Sequence, residues 1–232
     1  MSSSRAMRPM VRELKIERLG RIPYAEALEL QEKQVEAVRG GVAGDCLFLL
    51  EHPPVITLGR RADPRHVLAS SAELRARGVE LHTVTRGGDV TYHGPGQLVG
   101  YLVCDLAARG AADVHEFLRA LEGGLIDALS ALGLRAATRP GYTGVFMAEP
   151  AGVEPRKIAS IGVGLRGWVT YHGFALNVTT CLSEFAAIVP CGLSHVRMTS
   201  VACELGSKAP SAGELDARAR EAVAAAFLAR FG

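Results

Sequence analysis

The two residues best suited to covalent chemistry in this sequence are a cysteine and a lysine, Cys191 and Lys157. Cys191 lies between Pro190 and Gly192, on a constrained turn that presents its sulfur. We expect neighbouring backbone N–H groups to be free to face an oxyanion there. Taken alone, the motif is equally compatible with a buried structural cysteine, because free cysteines often pack as small hydrophobes.

Lys157 begins an apolar run that continues to Val163 and is typical of a buried strand. Most lysines lie at the surface, with their stems along apolar neighbours. That interpretation loses weight here because no other lysine occurs between Lys33 and Lys208. An ammonium group close to a thiol lowers the pKa of the thiol and raises its thiolate fraction. Lys157 is therefore a candidate partner for Cys191.

A third candidate is the segment RGGDVTYHGPG, Arg86 to Gly96, which contains four glycines within 11 residues. Glycine lets backbone approach a ligand closely, and successive N–H groups can form an anion-binding nest. Arg86 adds a fork of donors suited to a carboxylate or a phosphate. A tight turn between two strands is the alternative, but the coincidence with His93 favours a functional loop.

Other motifs argue against a metal or a nucleotide cofactor. His93, His172 and His195 are not closely paired with each other or with cysteine, so each is expected to be a hydrogen-bonded core histidine. The GxGxxG at 162–167 is followed by the β-branched and aromatic segment WVTYHGFALN, where a dinucleotide site requires a helix. We predict no metal and no cofactor.

Composition limits the remaining function classes. The chain has 232 residues, 48% of them hydrophobic, with a formal net charge of +2 and no basic cluster, which argues against nucleic-acid binding. An acidic protein partner remains compatible with local charged patches. No apolar run approaches the ~18 residues of a membrane span, and no signal peptide begins the chain. The five cysteines include no CxxC pair, which argues against a disulfide framework. We therefore expect a cytoplasmic location, where thiols stay reduced.

The elements that must position these residues are recognisable from periodicity and caps. One helix is predicted from Pro23 to Arg39, one from Asp113 to Leu132, and one from Ser211 to Arg230. Gly123 and Gly124 are expected to allow the second helix to pack closely on a sheet. Predicted strands are 14–19, 46–50, 81–85, 97–103, 143–147, 157–163 and 168–177. The order indicates an α+β fold, with a flexible extension over residues 1–11 and a single domain over residues 12–232.

Five motifs, in this order, resemble those of the lipoyl(octanoyl) transferases. They are EHPPVITLGRR (51–61), RGGDVTYHGPGQLVGY (86–101), RKIASIGVGLR (156–166), YHGFALN (171–177) and FAAIVPCGL (185–193). The resemblance implies a mixed β-sheet flanked by helices, in the fold of lipoate and biotin protein ligases and class II aminoacyl-tRNA synthetases. Phe146 and Phe174 stand where related chains often carry tryptophan and leucine, which is expected to adjust the shape of the pocket.

The resemblance also implies an activity. An octanoyl or lipoyl group would pass from acyl carrier protein to a lysine of a lipoyl domain, in 2-oxoacid dehydrogenase complexes or the glycine cleavage H protein. Cys191 would form the acyl thioester, and Lys157 would lower the pKa of the thiol. The residues implied to line the acyl pocket are Arg86, Gly87, Gly88, Asp89, Val90, Thr91, Tyr92, His93, Ser160, Ile161, Gly162, Gly173, Phe174 and Ala175. We expect a monomer.

Three alternatives remain. An ATP-dependent lipoate or biotin ligase of the same fold would make an adenylate and would need no cysteine nucleophile. A non-catalytic module that binds acyl carrier protein would not need Cys191 and Lys157 together. A cysteine hydrolase would normally use a histidine base and release the acyl group to water.

Overall fold

The computed structural model describes residues 13–150, 152–192 and 196–232. The predicted extension 1–11, Leu193 at the end of the fifth motif, and His195 lie outside the described residues. The helices are α1 (Tyr24–Arg39), α2 (Ser71–Ala76), α3 (Val114–Ala131), α4 (Val201–Leu205) and α5 (Ala212–Phe231). The strands are β1 (Lys15–Arg21), β2 (Cys46–Glu51), β3 (Val55–Leu58), β4 (Glu80–Thr83), β5 (Val90–His93), β6 (Gln97–Val103), β7 (Ala136–Ala137), β8 (Val145–Met147), β9 (Arg156–Arg166), β10 (Val169–Asn177) and β11 (Arg197–Met198).

The strands form two sheets. The main sheet is mixed and runs in the order β1-β2-β6-β10-β9-β8-β7, with β11 pairing parallel to β9. The smaller sheet has the order β4-β3-β5. The predicted α+β class, with a mixed sheet flanked by helices, is confirmed.

Alternate residues of the central strands face opposite sides of the main sheet, as the two-residue period of a strand requires. Leu47 and Leu49 of β2 pack in the core under α3 and α5. Phe48 and Leu50 of the same strand pack in a second core under α1. β2 is buried on both faces, which explains its continuous apolar sequence.

The predicted helix boundaries need two small corrections. Pro23 is the N-cap of α1 and is not its first helical residue, because its φ of −56° and ψ of 150° are extended. Asp113 caps α3 as predicted, since its side chain accepts hydrogen bonds from the N–H groups of His115 and Glu116. The helix ends at Ala131, with Leu132 as the C-cap.

The glycine pair of α3 does pack closely, but against a helix. A Cβ on Gly124 would lie 2.9 Å from the ring of Phe227, and one on Gly123 would lie 2.8 Å from the guanidinium of Arg230. Both of these neighbours belong to α5. The expectation of contact with a sheet is therefore wrong, and the pair instead lets α3 and α5 approach each other.

The glycine-rich segment 86–96 is only partly a loop. Val90–His93 forms β5, which pairs antiparallel with β3. The glycines on either side dominated the sequence interpretation, whereas the β-branched and aromatic residues VTYH are good strand formers. The GxGxxG at 162–167 lies in β9 and the turn into β10, so the rejection of a dinucleotide site agrees with the structure.

Candidate active site

Cys191 lies in a short 3₁₀ turn, Pro190–Gly192, with an unusual backbone conformation. Its φ is +57° and its ψ is 17°, a left-handed conformation that non-glycine residues rarely adopt. The turn is held where Val189 donates its N–H to the carbonyl oxygen of His66 at 2.7 Å. A strained residue that the surrounding structure holds in place is a common feature of functional sites.

The expectation that backbone N–H groups beside Cys191 are free to face an oxyanion is wrong for Gly192. The N–H of Gly192 does not face an open oxyanion site, because it donates to the carbonyl oxygen of Val189 at 3.0 Å. The N–H of Gly87, in the glycine-rich loop, is also used, since it donates to the carbonyl oxygen of Val163 at 2.8 Å. A tight turn satisfies its own amide groups, which sequence alone does not reveal.

Lys157 points inward from β9 and is 3% exposed. Its Nζ donates to the carbonyl oxygen of Thr143 at 3.0 Å and to the Sγ of Cys191 at 3.4 Å. The Oγ of Ser160 lies 4.0 Å from the same sulfur. Among the described residues these are the hydrogen-bonding contacts of the thiol, so the group beside it is an ammonium and not an imidazole.

The backbone of Lys157 is held from both sides. β8 pairs with it through Phe146, and β11 pairs with it through Met198. The Nζ also lies 5.5 Å from the centre of the Phe146 ring, within reach of a cation–π interaction. Lys157 therefore presents its ammonium from a rigid strand.

A cavity of about 370 Å³ lies beside Cys191 and Lys157. It is on the α1 side of the main sheet, since Tyr24 of α1, Tyr101 of β6 and Ala175 of β10 line it. The other lining residues are Arg61, Arg86, Gly88, Asp89, Thr91, His93, Gly141, Tyr142, Thr143, Ser160, Ile161, Gly162, His172, Gly173 and Phe174.

The roof of the cavity is the glycine-rich loop, which crosses β9 at Gly162. A Cβ on Gly162 would lie 2.9 Å from the carbonyl oxygen of Gly87 and 3.2 Å from Cδ of Arg86. Only glycine lets the loop lie this close to the strand. The loop also reaches the cysteine turn, because a Cβ on Gly192 would lie 2.6 Å from Oδ2 of Asp89.

Arg86 is a buried cation within this roof. Its Nη2 donates to the carbonyl oxygen of Thr57 at 2.7 Å and to the Thr57 hydroxyl at 2.8 Å, and its Nη1 donates to the carbonyl oxygen of Gly87 at 3.0 Å. Burial lowers the pKa of Arg86, and the nearby Tyr24 hydroxyl opposes that shift. The hydrogen-bond partners of the guanidinium in the described residues are neutral, and Cys191 and Asp89 lie near enough to favour its charged form.

Asp89 has a structural environment. Its Oδ2 lies 2.5 Å from Nδ1 of His66, and its Oδ1 accepts the N–H groups of Asp63 and Val90. The carboxylate therefore joins the glycine-rich loop to the segment 63–66, whose His66 carbonyl accepts the N–H of Val189 next to the cysteine turn.

Two predicted core histidines are buried at the cavity. Nδ1 of His93 lies 2.8 Å from Oε1 of Gln97, as expected for a hydrogen-bonded core residue. Nε2 of His172 is buried without a hydrogen-bond partner in the described part of the chain, and the residue has a φ of +59°. Burial lowers the pKa of each ring to about 3, with Arg86 adding to the shift. Both are therefore neutral at pH 7, and the expectation of hydrogen bonding is wrong for the Nε2 of His172.

Most of the residues implied by the family resemblance come together around the cavity. Gly87, Val90 and Tyr92 do not line it. Val90 and Tyr92 point into a separate apolar cluster that includes Ile56, under the small sheet. Their neighbours Thr91 and His93 face the cavity, as strand alternation requires.

Other lining residues were missed by sequence reasoning. They are Tyr24, Arg61, Tyr101, Gly141, Tyr142, Thr143 and His172. His172 was considered in the sequence only as a core histidine. The segment GYTG at 141–144 carries the one usable signal, because glycines flank an aromatic residue just before a strand. The ring of Phe174 packs 4.9 Å from that of Phe227 in α5, away from the thiol.

No group of three or more His, Cys, Asp or Glu side chains in the described part of the chain is arranged to hold a metal ion. No helix there has both the length and the apolar character needed to cross a membrane.

Comparison with known protein families gives one clear match. Residues 23–225 match the lipoyl protein ligase A/B catalytic domain. The chain is 50% identical over 193 residues to an octanoyltransferase of Acidobacterium capsulatum, covering 81% of this chain and 78% of that protein. It is 47% identical over 214 residues to an octanoyltransferase of Geobacter sulfurreducens, covering 92% and 83%.

Solved structures agree on the fold. The bipartite lipoate protein ligase of Thermoplasma acidophilum, studied with its E2 lipoyl domain, matches with a TM-score of 0.64 at 20% identity, covering 93% of this chain and 82% of that one. A lipoate-protein ligase A bound with ATP matches with a TM-score of 0.63 at 19% identity, covering 93% and 84%.

Proposed function

The chain belongs to the lipoyl protein ligase A/B catalytic family and, within it, to the octanoyltransferases, and on that premise we propose a mechanism. An octanoyl or lipoyl group passes from acyl carrier protein to Cys191 and then to a lysine of a lipoyl domain. The observation that carries the proposal is the 3.4 Å contact between the Lys157 Nζ and the Cys191 Sγ, beside a cavity.

In the first half-reaction the Cys191 thiolate attacks the carbonyl carbon of the carrier's thioester. A new C–S bond forms, and the bond to the carrier sulfur breaks. The Lys157 ammonium donates a proton to the departing thiolate and becomes a neutral amine. The product is an octanoyl thioester on Cys191.

In the second half-reaction the amine of the acceptor lysine attacks that thioester. The amine of Lys157 takes a proton from the attacking nitrogen, an amide forms, and the Cys191 thiolate leaves. Because a thioester is already activated, neither half requires ATP. This contrasts with an adenylate-forming ligase of the same fold.

The cavity supplies the acyl site in this proposal. Its volume of about 370 Å³ opens beside the sulfur, and burial of an acyl chain contributes about 0.8 kcal/mol per methylene. The positive charge of Arg86 in the roof, whose hydrogen-bond partners are neutral, suits the oxyanion that develops on the thioester carbonyl.

The acceptor is a lipoyl domain of a 2-oxoacid dehydrogenase or the glycine cleavage H protein. Support comes from the family and from the Thermoplasma acidophilum ligase, which was studied with its E2 lipoyl domain. We propose that the chain acts as a monomer in the cytoplasm.

The test follows the enzyme by intact mass after incubation with octanoyl carrier protein and no ATP. The parent protein should gain one octanoyl group, and hydroxylamine, which cleaves thioesters, should remove it. Cys191→Ser should gain no such hydroxylamine-sensitive group. Addition of a lipoyl domain should then discharge the parent and octanoylate the acceptor. An ATP requirement, or discharge to water without an acceptor, would overturn the proposal in favour of a ligase or a hydrolase.

A further inference from the structure

Glu122 is a buried carboxylate that the proposed mechanism does not use. It lies in α3 and is 0% exposed, between Leu121 and the glycine pair that packs on α5. A buried carboxylate is costly unless hydrogen bonds or ion pairs satisfy it. Its partners therefore indicate what it stabilises.

Those partners lie on two sides of the carboxylate. Oε2 lies 2.5 Å from Nη1 of Arg119, whose side chain is half exposed, in an ion pair that lacks the geometry of a hydrogen bond. Oε1 accepts the N–H of Gly144 at 2.9 Å, from the loop that precedes β8. Burial raises the pKa of Glu122, and the Gly144 N–H, the Arg119 guanidinium and the Lys157 ammonium oppose that shift.

The N–H of Gly144 belongs to the same peptide group as the carbonyl of Thr143. That carbonyl oxygen accepts the Nζ of Lys157 at 3.0 Å, and the same Nζ donates to Cys191 at 3.4 Å. One peptide plane thus has the carboxylate of Glu122 at its N–H end and the ammonium of Lys157 at its C=O end.

The Gly144 end of this peptide is closely packed. Gly144 has a φ of +120°, and a Cβ on it would lie 2.6 Å from the carbonyl oxygen of Ala159 and 2.7 Å from Cε of Lys157. Without an acceptor for the Gly144 N–H, rotation of the peptide would also remove the carbonyl oxygen that orients Lys157.

We infer that Glu122 is a positioning residue, which holds the Thr143–Gly144 peptide so that its carbonyl keeps the Lys157 ammonium against Cys191. The inference rests on the proposed pairing of Cys191 with Lys157. A nucleophile, its acid–base partner and a third group that orients the partner form a common catalytic arrangement. Here the third group acts through the backbone, from a helix on the opposite face of the sheet.

Two substitutions of Glu122 distinguish the effect of the position of its side-chain oxygen from the effect of its charge. Glu122→Gln keeps an oxygen at the same distance and removes the charge, whereas Glu122→Asp keeps the charge and withdraws it by one methylene. Both are close enough in volume to preserve the fold, which thermal unfolding checks. Asp127→Asn is the matched control, because Asp127 lies on α3 in an exposed ion pair with Arg230.

The readout is the rate of Cys191 alkylation by iodoacetamide at neutral pH, located by peptide mass. Glu122→Gln and Asp127→Asn should stay within a factor of about two of the parent, the usual scatter of independent effects. Glu122→Asp should fall to the rate of Lys157→Ala. In the Lys157→Ala background Glu122→Asp should have no further effect.

The reverse order, with Glu122→Asp near the parent rate and Glu122→Gln slow, would overturn the inference in favour of a charge effect. Additive losses in the double variant would also overturn it. Alkylation uses neither acyl donor nor acceptor, so this result is independent of the substrate. If Lys157→Ala itself alkylates normally, the pairing and the inference both fail, while acyl-enzyme mass still reports separately on the proposed function.

Discussion

The two faces of the main sheet differ in what they bury. The face under α3 and α5 is packed by aliphatic and phenylalanine side chains, with Phe227 and Leu125 fully buried at its centre. The α1 face contains the cavity and the buried polar side chains of Arg86, His93 and His172. The same strands therefore contribute stability on one side and a polar site on the other.

β10 shows how one strand serves both faces. Phe174 packs in the helical core, while its neighbours Gly173 and Ala175 line the cavity. Small residues on one side leave open volume, and a large ring on the other side fills the core. Apolar packing on the helical face thus offsets the destabilisation caused by the strained and buried polar groups on the opposite face. Glu122 is an exception, because this buried carboxyl group lies on the helical side of the sheet, whereas the role proposed for it concerns the cavity side.

The largest effect is expected when the amine of Lys157 is removed from the cavity face of the main sheet. Lys157→Ala should leave the apolar face intact and slow both half-reactions by roughly 10²–10⁴-fold, the range typical of a positioned acid–base group. Single-turnover acylation and deacylation, each followed by mass, measure the two steps. A loss confined to one step would show that Lys157 does not serve as both acid and base.

A substitution on the helical face should instead lower the stability of the protein and leave the reactivity of Cys191 unchanged. Phe227→Ala removes a fully buried ring that touches Phe174 and the Gly124 surface, and should lower the free energy of unfolding by about 3–5 kcal/mol. Urea unfolding measures this. Below the transition the alkylation rate of Cys191 should match that of the parent, and a matching drop in that rate would mean that the two faces are not separable.

Acid should weaken the protein through the cavity face. Burial lowers the pKa of His93 and His172 from 6.5 to about 3, so below pH 6.5 the unfolded chain binds protons that the folded chain excludes. Stability therefore falls as pH falls from 6.5 towards 3, by up to about 2 kcal/mol for one histidine at pH 5.

His172→Gln tests this contribution, because glutamine does not titrate. Its urea midpoint should depend less steeply on pH between 6.5 and 5 than that of the parent, whereas Phe227→Ala should keep the parent slope. Equal slopes in His172→Gln and the parent would remove His172 as the source.

The smallest expected effect concerns the acyl chain. Ala175→Leu places a larger side chain in the cavity, and each methylene of acyl chain that no longer fits should cost about 0.8 kcal/mol, a factor of about four in rate. Relative acylation rates with hexanoyl and octanoyl carrier protein measure the preference, which should move towards hexanoyl. A uniform loss for both donors would indicate distortion of the site and no change in selectivity.

Much of the secondary structure was predictable because its signals are local. The caps and apolar spacing of α3 and α5, and the continuous apolar run of β2, all appear in the structure close to the predicted bounds. β5 was missed because glycines on both sides of a four-residue strand gave a stronger local signal than the strand itself. The use of the Gly192 N–H depends on the closed geometry of one turn and has no sequence signature.

Part of the candidate site was also predictable from the sequence. Cys191 and Lys157 stood out by residue type and context, and the family motifs drew attention to most of the cavity lining. Tyr24 lies at the start of a predicted helix, and Thr143 begins a predicted strand that Tyr142 directly precedes, so secondary-structure signals alone did not mark them as lining residues. Glu122 has the sequence context of an ordinary charged residue of an amphipathic helix, because the contact that identifies its role comes from the loop before β8, whose Gly144 N–H it accepts.

Local sequence patterns predicted the fold class, the main elements and the two residues proposed to carry the chemistry, because periodicity, caps and residue type are properties of short segments. Tertiary packing sets the 3.4 Å distance between Lys157 Nζ and Cys191 Sγ, the crossing of the glycine-rich loop over β9 at Gly162, and the hydrogen bond from the Gly144 N–H to Glu122. These contacts join residues tens of positions apart, and they arise from packing of the sheet between its two layers of helices.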